Sequence, residues 1–203
     1  MPTNFHFKPA DYAVQRWKNG RGSTSQLTIE PASASFPLDS YSWRVSSARV
    51  NASGPFSLFP GFDRTIILVE GKSLKLDPLG ELQPFEVRTF SGEDAVSAEA
   101  EGQDLIDYNV FWKRGEVSAS TEVVTSSLTN TLASWDKVDR MSVFITAIGG
   151  TVEVANGGLS LGELEDWDSL RIDFADPEAR EDWILECSVS NPTSRAIVTY
   201  FGW

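Results

Sequence analysis

The sequence predicts an all-β protein built as two β-barrel halves in one chain, with few and short helices. Three observations carry that prediction. Long helical periodicity is scarce over the 203 residues. Short alternating or β-branched runs recur between Gly, Pro, Asn and Asp, the pattern of sandwiches and barrels. A strand, glycine, strand, turn pattern also appears twice. Arg64-Thr65-Ile66-Ile67-Leu68-Val69-Glu70-Gly71 precedes Ser73–Asp77 and a turn at Gly80. Arg140 through Gly149 precedes Thr151–Ala155 and Asn156-Gly157-Gly158, an offset of roughly 76 residues that aligns the two arginines.

In chain order, strands are expected at Gln26–Glu30, Ser42–Val50, Arg64–Glu70, Ser73–Asp77, Phe85–Phe90 and Leu105–Trp112. Further strands are expected at Val117–Thr125, Met141–Ile148, Gly150–Ala155, Leu170–Asp173, Ile184–Val189 and Ala196–Phe201. Short helices are expected near Lys8–Tyr12, Pro177–Asp182 and Leu161–Glu165, with polar connections at Phe36–Ser40 and Gly92–Glu101. The repeat puts the first half at residues 1–120 and the second at 121–203, an arrangement that leaves room for closing strands to be exchanged between halves.

Composition excludes several classes of function. Net charge is −12, from 17 basic and 29 acidic residues, and the acidic excess is larger after residue 112. That field opposes nucleic acid and anionic membranes. No run approaches the ~18–20 apolar residues of a membrane span. The start of the chain lacks a basic region followed by an apolar stretch, and the single cysteine fits a reducing compartment, so a cytoplasmic location is expected. One histidine, His6 in an N-terminus expected to be mobile, falls short of the cluster a barrel metal centre needs. It equally leaves Ser-His and Cys-His nucleophiles without a base. No metal or cofactor is therefore expected. Cys187 reads as a small buried hydrophobe, and the acidic run from Glu163 to Asp182 as a solvated face.

Four stretches carry chemistry. Trp17-Lys18-Asn19-Gly20-Arg21-Gly22-Ser23-Thr24-Ser25-Gln26 runs through a glycine loop into a strand, where Asn19 and Thr24 can donate to a ligand. In Trp43–Ala48, strand alternation puts Arg44, Ser46 and Ala48 on one face, with room for a planar guanidinium fork. Gly54–Arg64 is a rigid Gly/Pro loop that can aim Ser57 and Arg64, with Phe56 among its rings. In Asp107–Trp112, Asp107 and Asn109 share a face from which they can orient a ligand or hold an arginine.

These residues resemble the HutD/Ves family, whose members are associated with bacterial histidine utilisation. The resemblance lies in Trp17-x-Asn19-Gly20-x-Gly22-x-Thr24, Trp43-Arg44-x-Ser46-x-Ala48, Gly54 through Arg64, and Asp107-x-Asn109 with Arg114-Gly115. It covers about the first 115 residues in order and implies a double-stranded β-helix, or cupin, in each half: a bicupin. Where the family pattern has a glutamate, this chain has Gln26. The resemblance further implies recognition of a metabolite such as formylglutamate or urocanate.

The leading expectation is thus a metal-free protein that binds a small carboxylate in its first barrel, and a homodimer is compatible with it. The expected ligand-binding set is Trp17, Asn19, Thr24, Gln26, Arg44, Ser46, Phe56, Ser57, Arg64, Asp107 and Asn109. Two rivals belong to other classes. One is a cofactor-free isomerase or lyase with Asp107 or Glu93 as general base; the other is a scaffold that docks a partner through its acidic second half.

Overall fold

The computed structural model describes residues 1–17, 20, 22–100, 104–135 and 137–203. Strand β1 is Thr3–Phe7. It is followed by β2 (Ala13–Arg16), β3 (Gly22–Glu30), β4 (Trp43–Val50), β5 (Gly54–Pro55) and β6 (Phe62–Glu70). Then come β7 (Leu74–Asp77), β8 (Gly80–Leu82), β9 (Val87–Ser91), β10 (Ser97–Glu99) and β11 (Leu105–Lys113). The later strands are β12 (Ser118–Val124), β13 (Ser127–Thr131), β14 (Met141–Ile148) and β15 (Val152–Asn156). Last are β16 (Leu159–Leu164), β17 (Ser169–Phe174), β18 (Ile184–Val189) and β19 (Arg195–Gly202).

The chain divides into two compact units, Tyr12–Val117 and Met1–Asp11 with Ser118–Trp203. In the first, a six-stranded sheet of order β2-β3-β4-β11-β6-β9 accompanies a four-stranded sheet of order β5-β10-β7-β8. Ile66 and Leu68 of the larger sheet and Leu74, Leu76 and Ala98 of the smaller belong to one buried cluster. Such inward packing of alternate residues makes a closed β architecture stable in water. In the second unit, β1-β17-β14-β19-β12 accompanies β13-β18-β15-β16. Its interior is apolar, with Val143, Ile145, Leu170, Ile172, Leu185 and Val198 all fully buried.

Several expectations need correction. The first eleven residues, assigned from sequence to the N-terminal half, belong to the other unit. There β1 pairs with β17, Thr3 opposite Asp173 and Phe7 opposite Ser169. His6 therefore lies in a sheet rather than in a mobile tail. Lys8 anchors the segment at 2.6 Å to Asp168, whose carboxylate is buried, unlike the solvated face expected of the acidic run. Leu161–Glu165 falls largely in strand β16, because Gly162 at φ 138 bends an extended hairpin instead of breaking a helix. The remaining helix candidates shrink to 3-10 turns at Pro9–Asp11 and Glu178–Arg180. The connection at Gly92–Glu101 contains β10.

The repeat is present, yet its alignment slips. The hairpin β7-β8 follows β6 as β15-β16 follows β14. Inward residues of β6 are even-numbered (Ile66, Leu68), whereas those of β14 are odd-numbered (Met141, Val143, Ile145). An offset of 76 joins an inward residue to an outward one, since a one-residue shift reverses every side chain of a strand. Arg140 is accordingly no counterpart of Arg64. It sits outside β14 and packs on Trp203, 5.1 Å from the ring centroid.

Candidate ligand-binding pocket

Strand register assembles the site. On β4, Arg44, Ser46 and Ala48 lie opposite Phe111, Asn109 and Asp107 of β11. On the far side of β11, Phe111 lies opposite Arg64 and Asn109 opposite Ile66 of β6. Directly opposed residues point to the same face. One face of the sheet therefore gathers two arginines, an asparagine and an aspartate, while Trp43, Val45, Tyr108 and Val110 lie buried on the other. Register shifts flank this patch, between Ile106 and Asp107 and between Gln26 and Thr28. Such bulges re-aim side chains beside binding sites. Here Gln26 comes to lie opposite Ser46, and Thr24 opposite Ala48.

The patch forms the floor of a cavity of about 630 Å³, within the range of small-molecule sites. Trp17, Thr24, Arg44, Ser46, Phe56, Ser57, Arg64, Asp107 and Asn109 all line it. Thr24 Oγ1 accepts from Trp17 Nε1 at 2.9 Å, which fixes the indole at the wall. Gly22 lies where Trp17 and the Arg49 carbonyl leave no room for a Cβ, so glycine is required there for the ring to approach. Gln26 is not a lining residue; its Oε1 accepts from Arg44 Nε at 2.9 Å. Asn19 lies outside the described residues. Glu93 lies apart, exposed, in a network with Arg114, Ser91 and the Gly61 amide.

Arg64 is 6% exposed. Its Nε and Nη2 donate to Asn109 Oδ1 at 3.1 and 2.5 Å. Phe56, Phe111 and Phe90 surround the guanidinium, with centroids 4.2, 5.0 and 5.3 Å from Cζ. Arg44 is 4% exposed and stacks over Phe36 at 4.0 Å. Aromatic faces replace part of the water each cation has lost. Among the described residues neither arginine makes an ion pair.

Burial weakens these charges without removing them. It pulls Arg44 and Arg64 down to about 10, so both remain cations at neutral pH. It lifts Asp107 to about 6, with Arg64, the Asn109 amide and the Ala48 N–H opposing the rise. Glu93 is the reverse case: hydrogen bonds from Arg114, then from Gly61 and Ser91, hold it down at about 2. A carboxylate that firmly deprotonated and already paired is poorly suited to general-base catalysis.

Sequence reasoning missed Gln15, Arg16, Phe36, Phe59 and Phe111, which also line the cavity. Phe111 was within reach, since it continues the Asp107-x-Asn109 alternation. Phe36 was not, because its loop reads only as a polar connection. The described lining offers one carboxyl and neither imidazole nor thiol, a donor set that does not fit a resident metal. Cys187 is buried in the second unit's apolar core, where desolvation pushes its thiol up to about 12.

Paired antiparallel sheets in each of two units, one of them enclosing a polar cavity, define the chain as a bicupin. The HutD family model matches residues 9–184, and the chain belongs to that family. An uncharacterised 21.2 kDa protein from the hutC 3′ region of Pseudomonas putida is 31% identical over 172 residues, 82% of this chain and 85% of that one. Protein Ves of Citrobacter koseri is 31% identical over 158 residues, covering 74% of this chain and 72% of its own. The solved structure of HutD from Pseudomonas fluorescens SBW25 shares the fold, with TM-score 0.74 and 23% identity over 98% of both chains. Among the described residues no helix is long and apolar enough to cross a membrane.

Proposed function

We propose that the chain binds a small carboxylate in the N-terminal barrel and serves histidine utilisation, or related amino-acid catabolism, as a metal-independent, ligand-responsive regulator. Formylglutamate and urocanate are the ligands to test first. One observation carries the reading: Arg44 and Arg64 are both buried at the cavity with no ion pair among the described residues. Burying a guanidinium without an opposing charge is costly, and a bound carboxylate offsets that cost through charge-assisted hydrogen bonds. Ser46, Ser57 and Thr24 supply neutral polar contacts, while Trp17 and Phe56 supply apolar walls. The family membership and the hut-region relative support a place in histidine utilisation.

Calorimetric titration with formylglutamate, urocanate and glutamate tests the proposal. At least one is expected to bind below millimolar concentration, with binding lost in Arg44→Ala. If all three fail to bind, the reading is wrong.

One observation favours a second reading. Asp107 lies in the cavity with its carboxyl raised to about 6, in the range where a general base operates. A cofactor-free isomerase or lyase would then turn over one of these compounds and lose that activity in Asp107→Asn. Purified protein that binds a carboxylate and leaves it chemically unchanged excludes this alternative.

A further inference from the structure

Both cavity arginines are held by amides. Gln26 Oε1 accepts from Arg44, and Asn109 Oδ1 accepts twice from Arg64. An amide oxygen orients a guanidinium while leaving its positive charge intact, whereas a carboxylate in the same place would neutralise it. Neither amide arrives by chance of packing. The register shift in β3 brings Gln26 opposite Ser46, two residues along β4 from Arg44. Asn109 cannot turn its amide around without breaking its 2.6 Å bond from Nδ2 to Asp107 Oδ1, because a carboxylate only accepts.

The charge of the cavity follows. Its described ionisable lining comprises Arg16, Arg44 and Arg64 against Asp107 alone, an excess of two positive charges with Asp107 ionised. We propose that Gln26 and Asn109 set this excess, and so act as specificity-determining positioning residues. By fixing the arginines through neutral oxygens, they make the cavity select a doubly charged carboxylate over a singly charged one of equal length. The inference rests on the carboxylate reading above and narrows it to dicarboxylates. Gln26 acts through Arg44, and Asn109 acts through Arg64 while itself lining the cavity.

The experiment pairs glutarate with valerate, which have the same chain length and differ by one carboxylate, in calorimetric titrations near pH 7. Wild type is expected to bind glutarate about tenfold or more tightly, the scale of one added charge-assisted hydrogen bond. Gln26→Glu keeps an acceptor for Arg44 and adds a negative charge. It is expected to weaken glutarate binding about tenfold and to compress the glutarate-to-valerate ratio, with an unchanged or higher melting temperature. Gln26→Leu removes the acceptor without adding charge, and should weaken both ligands while keeping their ratio. A purely structural role predicts the opposite order, with Gln26→Glu like wild type in affinity.

Asn109→Asp provides an independent measurement of the same ratio if Gln26→Glu does not fold. Equal binding of the two ligands by wild type, or an unaltered ratio in the charged variants, overturns this inference alone. Absence of binding by any carboxylate overturns the underlying reading as well.

Discussion

Asp107 accepts a 2.6 Å hydrogen bond from Asn109 Nδ2, and that bond decides which end of the amide Arg64 meets. With Nδ2 committed to the carboxylate, Oδ1 is left for the guanidinium. The series carboxylate, amide, guanidinium thus runs across β11 and β6 on a single face, and each member restricts the next. Asp107 orders the site at some cost, since its carboxyl is buried and does not touch a cation directly.

That cost has a sign that titration can read. Asp107 is raised in the folded protein from 3.8 to about 6, so the native state holds this proton where the unfolded chain has released it. Its contribution to stability falls as pH rises from about 4 to about 6 and is level above. Asp107→Asn removes the titration while keeping an acceptor oxygen. The melting temperature of the variant relative to wild type should climb across that window and then plateau, and a flat difference would refute the assignment.

Arg64→Ala should lower carboxylate affinity roughly a hundredfold, because it removes a buried two-point donor and leaves Asn109 Oδ1 without its partner. Arg64→Lys should recover only part of that loss. An ammonium restores the charge but neither the fork nor the stacking between Phe56 and Phe111. Full recovery would mean that charge alone matters at this position.

Much of this site was legible in the sequence. The alternation in Trp43–Ala48 and Asp107–Trp112 is enough to place Arg44 with Ser46, and Asp107 with Asn109, on shared faces, because side chains along a strand have a fixed period of two. Which face turns inward is set by the packing of the two sheets. The barrel that receives the N-terminal segment was not legible. Thr3–Phe7 is mostly exposed and polar, so its strand character comes from pairing with β17 and not from a buried face. The role of Gln26 was hidden for a related reason. A bulge breaks the strand period at that point, and only the register shift shows that it lies opposite Ser46.

Gly22→Ala is expected to reach the pocket indirectly. The added methyl would lie 2.5 Å from the Arg49 carbonyl oxygen and 2.8 Å from the Trp17 ring. Overpacking of this kind costs about 1–3 kcal/mol, and the movable neighbour is the indole. A lower melting temperature with weaker ligand binding is the expected pair of effects. Ligand-dependent tryptophan fluorescence, measured in Gly22→Ala and Trp17→Phe, reports whether the indole has left the wall.

Glu93→Gln should leave ligand affinity unaltered. Glu93 is exposed and committed to Arg114, which also bonds Asp63 and the Phe62 carbonyl, so the group braces the loop around Gly61 without entering the cavity. A marked loss of binding, or of any turnover, in this variant would place Glu93 closer to the ligand chemistry than its contacts indicate.

The pairing of β1 with β17 also constrains how the molecule is made. Lys8 and Asp168 are 160 positions apart in the chain, and β1 can join the edge of its sheet only once β17 is available. During synthesis β1 emerges long before its partner β17. Contacts of such long separation slow folding and leave a strand edge open in the meantime. The Tyr12–Val117 barrel contains all of its own strands and can close beforehand. The candidate pocket can therefore take shape on the ribosome while β1 is still unpaired.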